Sequence, residues 1–203
     1  MRTRRVFSCM AVVLALLMVD CAKKNEESQP APAEYKVRMQ TTKGDLVILV
    51  HRDWSPRGAD HFYELTKMGF YDKTAFFRTV PGFIVQWGIH GDPKVNQDWS
   101  QITIKDDPPK VSNKIGTVVF AKTGEPDSRT TQLFINLGDN SKTLDPQGFT
   151  PFGEVIQGMD NVIKINMEYR EEPSQGAIAQ IGNDYLEEHF PRLDYVKKVT
   201  IVP

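Results

Sequence analysis

The sequence predicts a mainly β protein in which short strands curl into a closed barrel and two or three α-helices cap its ends. Short apolar or alternating runs typical of strands recur along the chain, and loops rich in Gly, Pro, Asp and Asn separate them. Only two or three segments have helical periodicity. With 203 residues and 40% hydrophobic content, the chain can bury one large core, so a single domain is expected. A sheet of this kind buries its apolar face by closing on itself beneath capping helices.

The amino terminus has the pattern of an export signal. Three arginines lie in the first five residues, and the apolar run at residues 6–19 is shorter than the ~20 residues needed to span a bilayer. Residues 17–21, Leu-Met-Val-Asp-Cys, resemble a bacterial lipobox, in which the cysteine is lipidated and becomes the new N-terminus. Asp20 departs from the small neutral residue usual at that position. Ordinary signal cleavage, with Cys21 unmodified, is the alternative, although no Ala-x-Ala site is present.

Three regions follow from this pattern. We expect a signal peptide at residues 1–20, a lipidated Cys21 with a flexible tether at residues 21–34, and one folded domain at residues 35–203. Residues 23–33 contain no large apolar side chain and cannot form a core. The two cysteines lie at positions 9 and 21, so the folded domain has no disulfide and no thiol chemistry. The expected location is the periplasmic side of a bacterial envelope, with the membrane bound through lipid on Cys21.

The folded domain is predicted to begin with a β-hairpin and a helix. Residues 35–40 alternate apolar and polar side chains, and residues 46–50 form a continuous apolar strand beyond a Thr-Lys-Gly turn. Ser55 followed by Pro56 predicts a helix start in which the serine is the capping residue, and Gly69 predicts the helix end.

An aromatic hairpin is predicted next. Strand-like runs at residues 75–80 and 83–87 meet at a Pro-Gly turn. Arg78 and Gln86 are polar side chains on these otherwise apolar strands. Such an arginine either keeps its charged end in water at a sheet edge or lines a site, because burying an unpaired charge is costly.

The second half of the domain is predicted as strands separated by long loops. Residues 88–112 read mainly as a loop. Strands are expected at residues 116–122, 131–137, 152–155 and 196–202. A short helix is expected around residues 159–163, and a longer one over residues 178–186.

Several functional classes are disfavoured. The net charge of −1 gives no reason to expect a nucleic-acid partner. The four histidines lack the spacing of metal ligands, and no Gly-x-Ser-x-Gly nucleophile motif is present. Residues 138–143 end like a phosphate-binding loop but lack its first glycine. No metal and no cofactor are therefore expected.

Three segments resemble the cyclophilin family of peptidyl-prolyl cis-trans isomerases. They are residues 77–86, 131–135 and 150–155, and their order and spacing are also those of the family. The match extends over nearly all of residues 35–202, and residues 173–195 look like a bacterial subgroup. The resemblance implies an eight-stranded antiparallel barrel closed by helices, and catalysis of rotation about X–Pro bonds.

The chemistry of this reaction explains why few special residues are needed. Rotation about the conjugated amide faces a barrier of ~18–20 kcal/mol, and no bond is broken. A catalyst needs an apolar slot for the proline ring and a donor aimed at the prolyl nitrogen, which loses its conjugation in the transition state. Arginine suits this role because it stays protonated and its guanidinium is rigid.

The resemblance assigns roles by position. Arg78 is the expected catalytic donor, and Gln86 is grouped with it as catalytic because it orients Arg78. The resemblance gives the substrate-binding residues as Phe83, Ile84, Ala121, Gln132, Phe134, Leu144 and Phe149.

Other positions depart from the family and are expected to change specificity rather than activity. Phe77 and Phe149 stand where many members carry histidine, Trp87 replaces a glycine and Lys122 replaces an asparagine. Thr143 stands where a tryptophan contacts cyclosporin in drug-sensitive members.

Two functions from different classes remain. The first is an envelope-anchored monomeric isomerase that acts on exported, proline-containing polypeptides and assists their folding. The second is a binding module or chaperone of the same fold that docks proline-containing loops without turnover. The presence of Arg78, Gln86 and Phe134 favours the isomerase, because a binding module need not keep the donor.

Overall fold

The structure is a computed structural model that describes residues 30–203. The expected signal peptide, Cys21 and the tether up to residue 29 lie outside the described residues and stay predictions. Within the described part of the chain, no helix is both long and apolar enough to cross a membrane.

Eight antiparallel strands form one curled sheet. The strands are β1 (Glu34–Thr41), β2 (Gly44–His51), β3 (Arg78–Val80), β4 (Ile84–Trp87), β5 (Thr117–Phe120), β6 (Leu133–Asn136), β7 (Pro151–Gln157) and β8 (Val196–Val202). Their order across the sheet is β3-β4-β6-β5-β7-β2-β1-β8. The expected mainly β architecture and the antiparallel eight-stranded sheet are confirmed.

The prediction of a closed barrel is wrong in one respect, because β3 and β8 lie at opposite edges of the sheet. Only a single bridge, Ala75 to Tyr195, and neighbouring backbone hydrogen bonds join the chain segments that precede these strands. β3 has three residues, and the amide of Thr79 donates to the carbonyl of Arg170 in a loop at 3.0 Å. The outer edge of β3 is therefore covered by a loop instead of by β8.

Six helices occur in residues 30–203, and most are short. They are α1 (Pro56–Lys67), α2 (Pro93–Ser100), α3 (Ser141–Leu144), α4 (Met159–Ile163), α5 (Gln175–Ile181) and α6 (Asn183–His189). A 3-10 turn, Asp145–Gln147, follows α3. α1 buries Ala59, Phe62 and Leu65 in the main core.

The start of α1 is capped differently from the prediction. Ser55 is at the N-cap position, yet its side chain makes no capping hydrogen bond. Its hydroxyl donates instead to Oδ2 of Asp107 at 2.6 Å, and the same carboxylate oxygen accepts from the amide of Gly58 at 3.1 Å. A buried carboxylate from a distant loop therefore satisfies the helix N-terminus and complements its positive end.

Two other helical predictions were wrong. α2 lies inside the expected loop, where Asp92 accepts from the amide of Lys94 at 2.9 Å as an N-cap and Pro93 follows at the first helical position. The expected long helix is divided into α5 and α6 at Gly182, which has a φ of +80°. A Cβ atom at Gly182 would lie 2.1 Å from the carbonyl oxygen of Gly91, so only glycine fits there.

Candidate active site

The site lies on the face of the sheet opposite the main core. In β4 and β6, Val85, Trp87, Leu133 and Ile135 point into that core. The alternate residues Ile84 and Phe134 belong to a separate cluster with Val119 of β5 and Leu144 of α3, and Phe83, Ala121 and Phe149 pack against it. The two-residue period of the strands produces this division.

Strand register places the key side chains in one row. Arg78 on β3 is paired with Gln86 on β4, Gln86 is paired with Phe134 on β6, and Phe134 is paired with Val119 on β5. Because cross-strand partners point to the same face of a sheet, the donor and the apolar residues are neighbours.

A groove of about 410 Å³ contains all of the predicted catalytic and substrate-binding side chains. These are Arg78, Phe83, Ile84, Gln86, Ala121, Gln132, Phe134, Leu144 and Phe149. The remaining lining residues are Lys122, Thr123, Ser128, Thr130, Thr143, Gln147 and Gln175. The structure thus brings the predicted residues together, while their individual roles stay predictions.

One end of the groove is an apolar slot. The rings of Phe134 and Phe149 meet edge to face with centroids 5.7 Å apart. Leu144 lies at the end of α3 and is 5% exposed, and the following 3-10 turn returns the chain to Phe149 through Gly148, whose φ is +73°. A wall of two aromatic rings and a leucine can bury the ring of a proline.

Arg78 borders this slot and is held from two directions. Its Nη1 donates to Oε1 of Gln86 at 3.1 Å, and Nε2 of Gln86 donates to Oε1 of Gln132 at 2.8 Å. On the other side its Nε donates to Oε1 of Glu171 at 2.7 Å, and Nη2 forms an ion pair with the same oxygen. The guanidinium lies 5.8 Å from the centroid of the Phe83 ring. Its remaining N–H groups are left for a ligand in the groove.

Sequence reasoning missed Glu171. This residue follows Arg78 by 93 positions and lies between α4 and α5, in a segment without a regular element. The only sequence signal is the acidic pair Glu171-Glu172, which directly precedes the segment that resembles the bacterial subgroup. An acidic pair on a surface is ordinary, so the ion pair could not be found without the fold.

The departures from the family pattern fall into two groups. Phe77 and Trp87 are buried in apolar clusters, at 1% and 0% exposure, and do not line the groove. Lys122, Thr143 and Phe149 do line it. Nζ of Lys122 lies 5.9 Å from the Phe149 ring centroid and 3.6 Å from Oδ2 of Asp106. Any change of specificity is therefore expected from these groove residues.

A buried ion pair supports the loop that carries Lys122. Arg129 and Asp107 have side chains that are 3% and 1% exposed, and Nη2 of Arg129 lies 3.2 Å from Oδ2 of Asp107. Burial raises the pKa of Asp107, but hydrogen bonds from Ser55 and Gly58 and the charge of Arg129 outweigh it and leave this pKa below its usual value. The carboxylate is thus ionised, and it links α1 to the wall of the groove.

Comparison with known proteins decides the family. A family model described as cyclophilin type peptidyl-prolyl cis-trans isomerase matches residues 36–183. A peptidyl-prolyl cis-trans isomerase of Acinetobacter baylyi is 33% identical over 160 residues, which cover 77% of this chain and 80% of that protein. The chain belongs to the cyclophilin-type peptidyl-prolyl cis-trans isomerases. Peptidyl-prolyl cis-trans isomerase B of Escherichia coli is 35% identical over 136 residues, which cover 64% of this chain and 82% of that protein.

Solved structures agree with the cyclophilin fold. A cyclophilin-type isomerase of Cryptosporidium parvum, solved in the presence of the dipeptide Ala-Pro, matches with a TM-score of 0.62 and 20% identity. The match covers 83% of this chain and 99% of that one. Among the residues that the structure describes here, no group of three or more His, Cys, Asp or Glu side chains is arranged to hold a metal ion.

Proposed function

We propose that this cyclophilin isomerises X–Pro bonds of exported polypeptides at the bacterial envelope, with Arg78 as the catalytic donor. The observation that carries the proposal is the position of Arg78, which is held by two side chains beside an apolar slot in the same groove. A donor and a proline-sized slot in contact are the two features that the reaction requires.

Each side chain of the groove has a defined task in this mechanism. The proline ring enters the slot between Phe134, Phe149 and Leu144, which excludes water from the amide. The free N–H groups of Arg78 donate to the prolyl nitrogen as it becomes pyramidal, and this hydrogen bond is stronger in the transition state than in the planar ground state. Gln86 keeps the guanidinium in place, because its own amide is fixed by Gln132.

The same groove could also serve a binding module that holds a proline without turnover. Burial of the proline would need only the apolar wall. The arrangement around Arg78 favours catalysis, since holding a long charged side chain costs conformational entropy that simple binding of an apolar ring does not require.

Turnover by the purified chain tests the proposal. Isomerisation of a proline-containing tetrapeptide is followed by a chymotrypsin-coupled assay or by NMR exchange, and the affinity for the same peptide is measured in parallel. We expect catalysed exchange. Firm binding without any acceleration would favour the binding module.

The proposed envelope location rests on the sequence of the amino terminus, and the start of the folded domain limits the length of the tether. The amide of Ala31 donates to Oδ1 of Asp60 on α1 at 2.9 Å, and Ala31 is 6% exposed. The chain is thus attached to the domain from residue 31 onward. A lipid on Cys21 would be separated from this attachment by ten residues in sequence, a reach of at most roughly 35 Å. Such an anchor would keep the start of the folded domain within that distance of the membrane surface.

A further inference from the structure

Glu171 contacts Arg78 from a loop that is fixed to the edge of the sheet. This loop, residues 164–174, covers the outer side of β3: the amide of Thr79 donates to the carbonyl of Arg170, and the hydroxyl of Thr79 donates to the carbonyl of Asn166, both at 3.0 Å. The amide of Asn166 in turn donates to Oδ2 of Asp194 at 2.7 Å. Asp194 is 4% exposed, so the loop is bound to a buried side chain.

The backbone next to Glu171 is in an unusual conformation. Arg170 has a φ of +48°, in the left-handed region that residues other than glycine seldom adopt. The amide of Glu172 donates to the carbonyl of Tyr169 at 2.9 Å and closes the turn. Strain of this kind persists only where surrounding contacts impose it, and it often occurs at functional sites. Here the turn directs the carboxylate of Glu171 towards Arg78.

The two partners of Arg78 restrict the guanidinium in complementary ways. Gln86 binds Nη1 alone, and a single hydrogen bond leaves the group free to turn about that contact. Glu171 binds Nε and Nη2 along the opposite edge. With both in place the planar group is held from two sides, and neither partner uses its remaining N–H groups, which stay available beside the groove that Arg78 lines.

We infer that Glu171 is a positioning residue for the isomerase reaction, one that orients the guanidinium of Arg78 before the substrate arrives. The inference rests on the proposed role of Arg78 as the donor. The carboxylate is 59% exposed, so its attraction for Arg78 is screened by water and its contribution is moderate. The expected effect is a loss of about three- to fivefold in kcat/KM when Glu171 is removed, which corresponds to an exposed ion pair at its upper range.

The test compares three variants of the loop on an uncharged proline peptide. Glu171→Ala should lower kcat by about three- to fivefold and leave KM nearly unchanged, because the proline slot is intact. Glu171→Gln keeps an acceptor for Nε and should lie between wild type and Glu171→Ala. Glu172→Ala is the matched control, since it removes the same charge from the neighbouring position, and the exposed Glu172 side chain is not among the contacts of Arg78. It should match wild type.

A spectroscopic readout separates positioning from a general structural effect. The NMR signal of the Arg78 Nε–H group should be sharp and slow to exchange in wild type, and broadened or lost in Glu171→Ala. Amide signals of β4 and β6 should not change. In the background of Arg78→Ala, removal of Glu171 should cost nothing further.

The outcomes are distinguishable. Loss of activity in Arg78→Ala together with unchanged or increased activity in Glu171→Ala would overturn the positioning role alone, and an increase would mean that Glu171 competes with the substrate. Equal losses of activity in Glu171→Ala and Glu172→Ala would also overturn the positioning role, because the net charge of the loop would then be the cause. Full activity in Arg78→Ala would overturn the proposed function itself, whatever the Glu171 variants show.

Discussion

Replacement of Arg78 by alanine should lower kcat/KM about 100-fold, with little change in peptide affinity. Removal of one preorganised donor from a transition state costs about 100- to 1,000-fold. The side chain of Arg78 is 27% exposed, so water can replace part of its hydrogen bonding and the lower value applies. That value corresponds to about 2.7 kcal/mol of transition-state stabilisation.

The Arg78→Ala substitution should disturb the structure little, so the activity and peptide affinity of this variant can be compared directly with those of wild type. Gln86 keeps its hydrogen bond to Gln132 at 2.8 Å when Arg78 is removed, and the exposed carboxylate of Glu171 returns to water. Arg78→Lys should remain close to the alanine variant. The planar guanidinium can bind Glu171 and Gln86 and still donate to the substrate. An ammonium group lacks this planar edge.

Phe134→Ala is the matched comparison within the same groove. Phe134 is 2% exposed and packs against Phe149, so truncation opens the slot and should weaken peptide binding by tenfold or more, on the order of one hot-spot side chain. The measurements are coupled-assay kcat/KM values and peptide affinity for each variant. An Arg78→Ala protein that turns over peptide at the wild-type rate, or one whose loss lies entirely in binding, would refute the donor mechanism.

Three further predictions address the drug site, the anchor and pH. Cyclosporin should inhibit at least about tenfold more weakly than in family members that carry tryptophan at the position of Thr143, because threonine lines the groove without an indole to anchor the drug; equally tight inhibition would contradict this. Metabolic labelling with palmitate should mark wild type but not Cys21→Ser, and equal labelling of both would exclude lipid at Cys21. Burial lowers the pKa of His61 to about 4, with Arg129 acting in the same direction against a hydrogen bond that the ring donates to the backbone of Thr130. The unfolded chain therefore takes up the proton first, so stability is full above pH ~6.5 and falls by about 3 kcal/mol as the pH approaches 4. Urea unfolding midpoints should show this slope in wild type and a smaller one in His61→Phe.

Local sequence patterns were sufficient to predict most strands of the sheet and the residues assigned to the groove. Alternation of side chains predicts β1, and the Pro-Gly turn predicts the hairpin of β3 and β4. The groove residues could be assigned because the family motifs lie on these same strands, where a two-residue period decides which side chains face the site. Such signals depend on neighbours in sequence, and those are visible without a structure.

The cap of α1 and the division of the long helix share a different cause, because each depends on a contact between distant parts of the chain. Asp107 caps α1 from a position about 50 residues later, and the serine hydroxyl that should have capped the helix donates to it instead. The break at Gly182 follows from the approach of Gly91, about 90 residues earlier. Periodicity cannot report contacts of this kind.

The open edge of the sheet and the environment of Arg78 have a common origin. A closed barrel would pair β3 with β8 and leave no room for another segment beside Arg78. Because β3 is an edge strand, the free amide of Thr79 binds the loop of residues 164–174, and that loop brings Glu171 to Arg78, the proposed donor. The second apolar cluster, in which Ile178 and Leu186 pack on Phe77, holds the helices that follow this loop against the same hairpin. The segment between α4 and β8 thus covers the edge strand through Thr79 and contacts Arg78, the proposed donor, through Glu171. Changes in this segment that displace Glu171 should therefore alter catalysis without altering the proline slot.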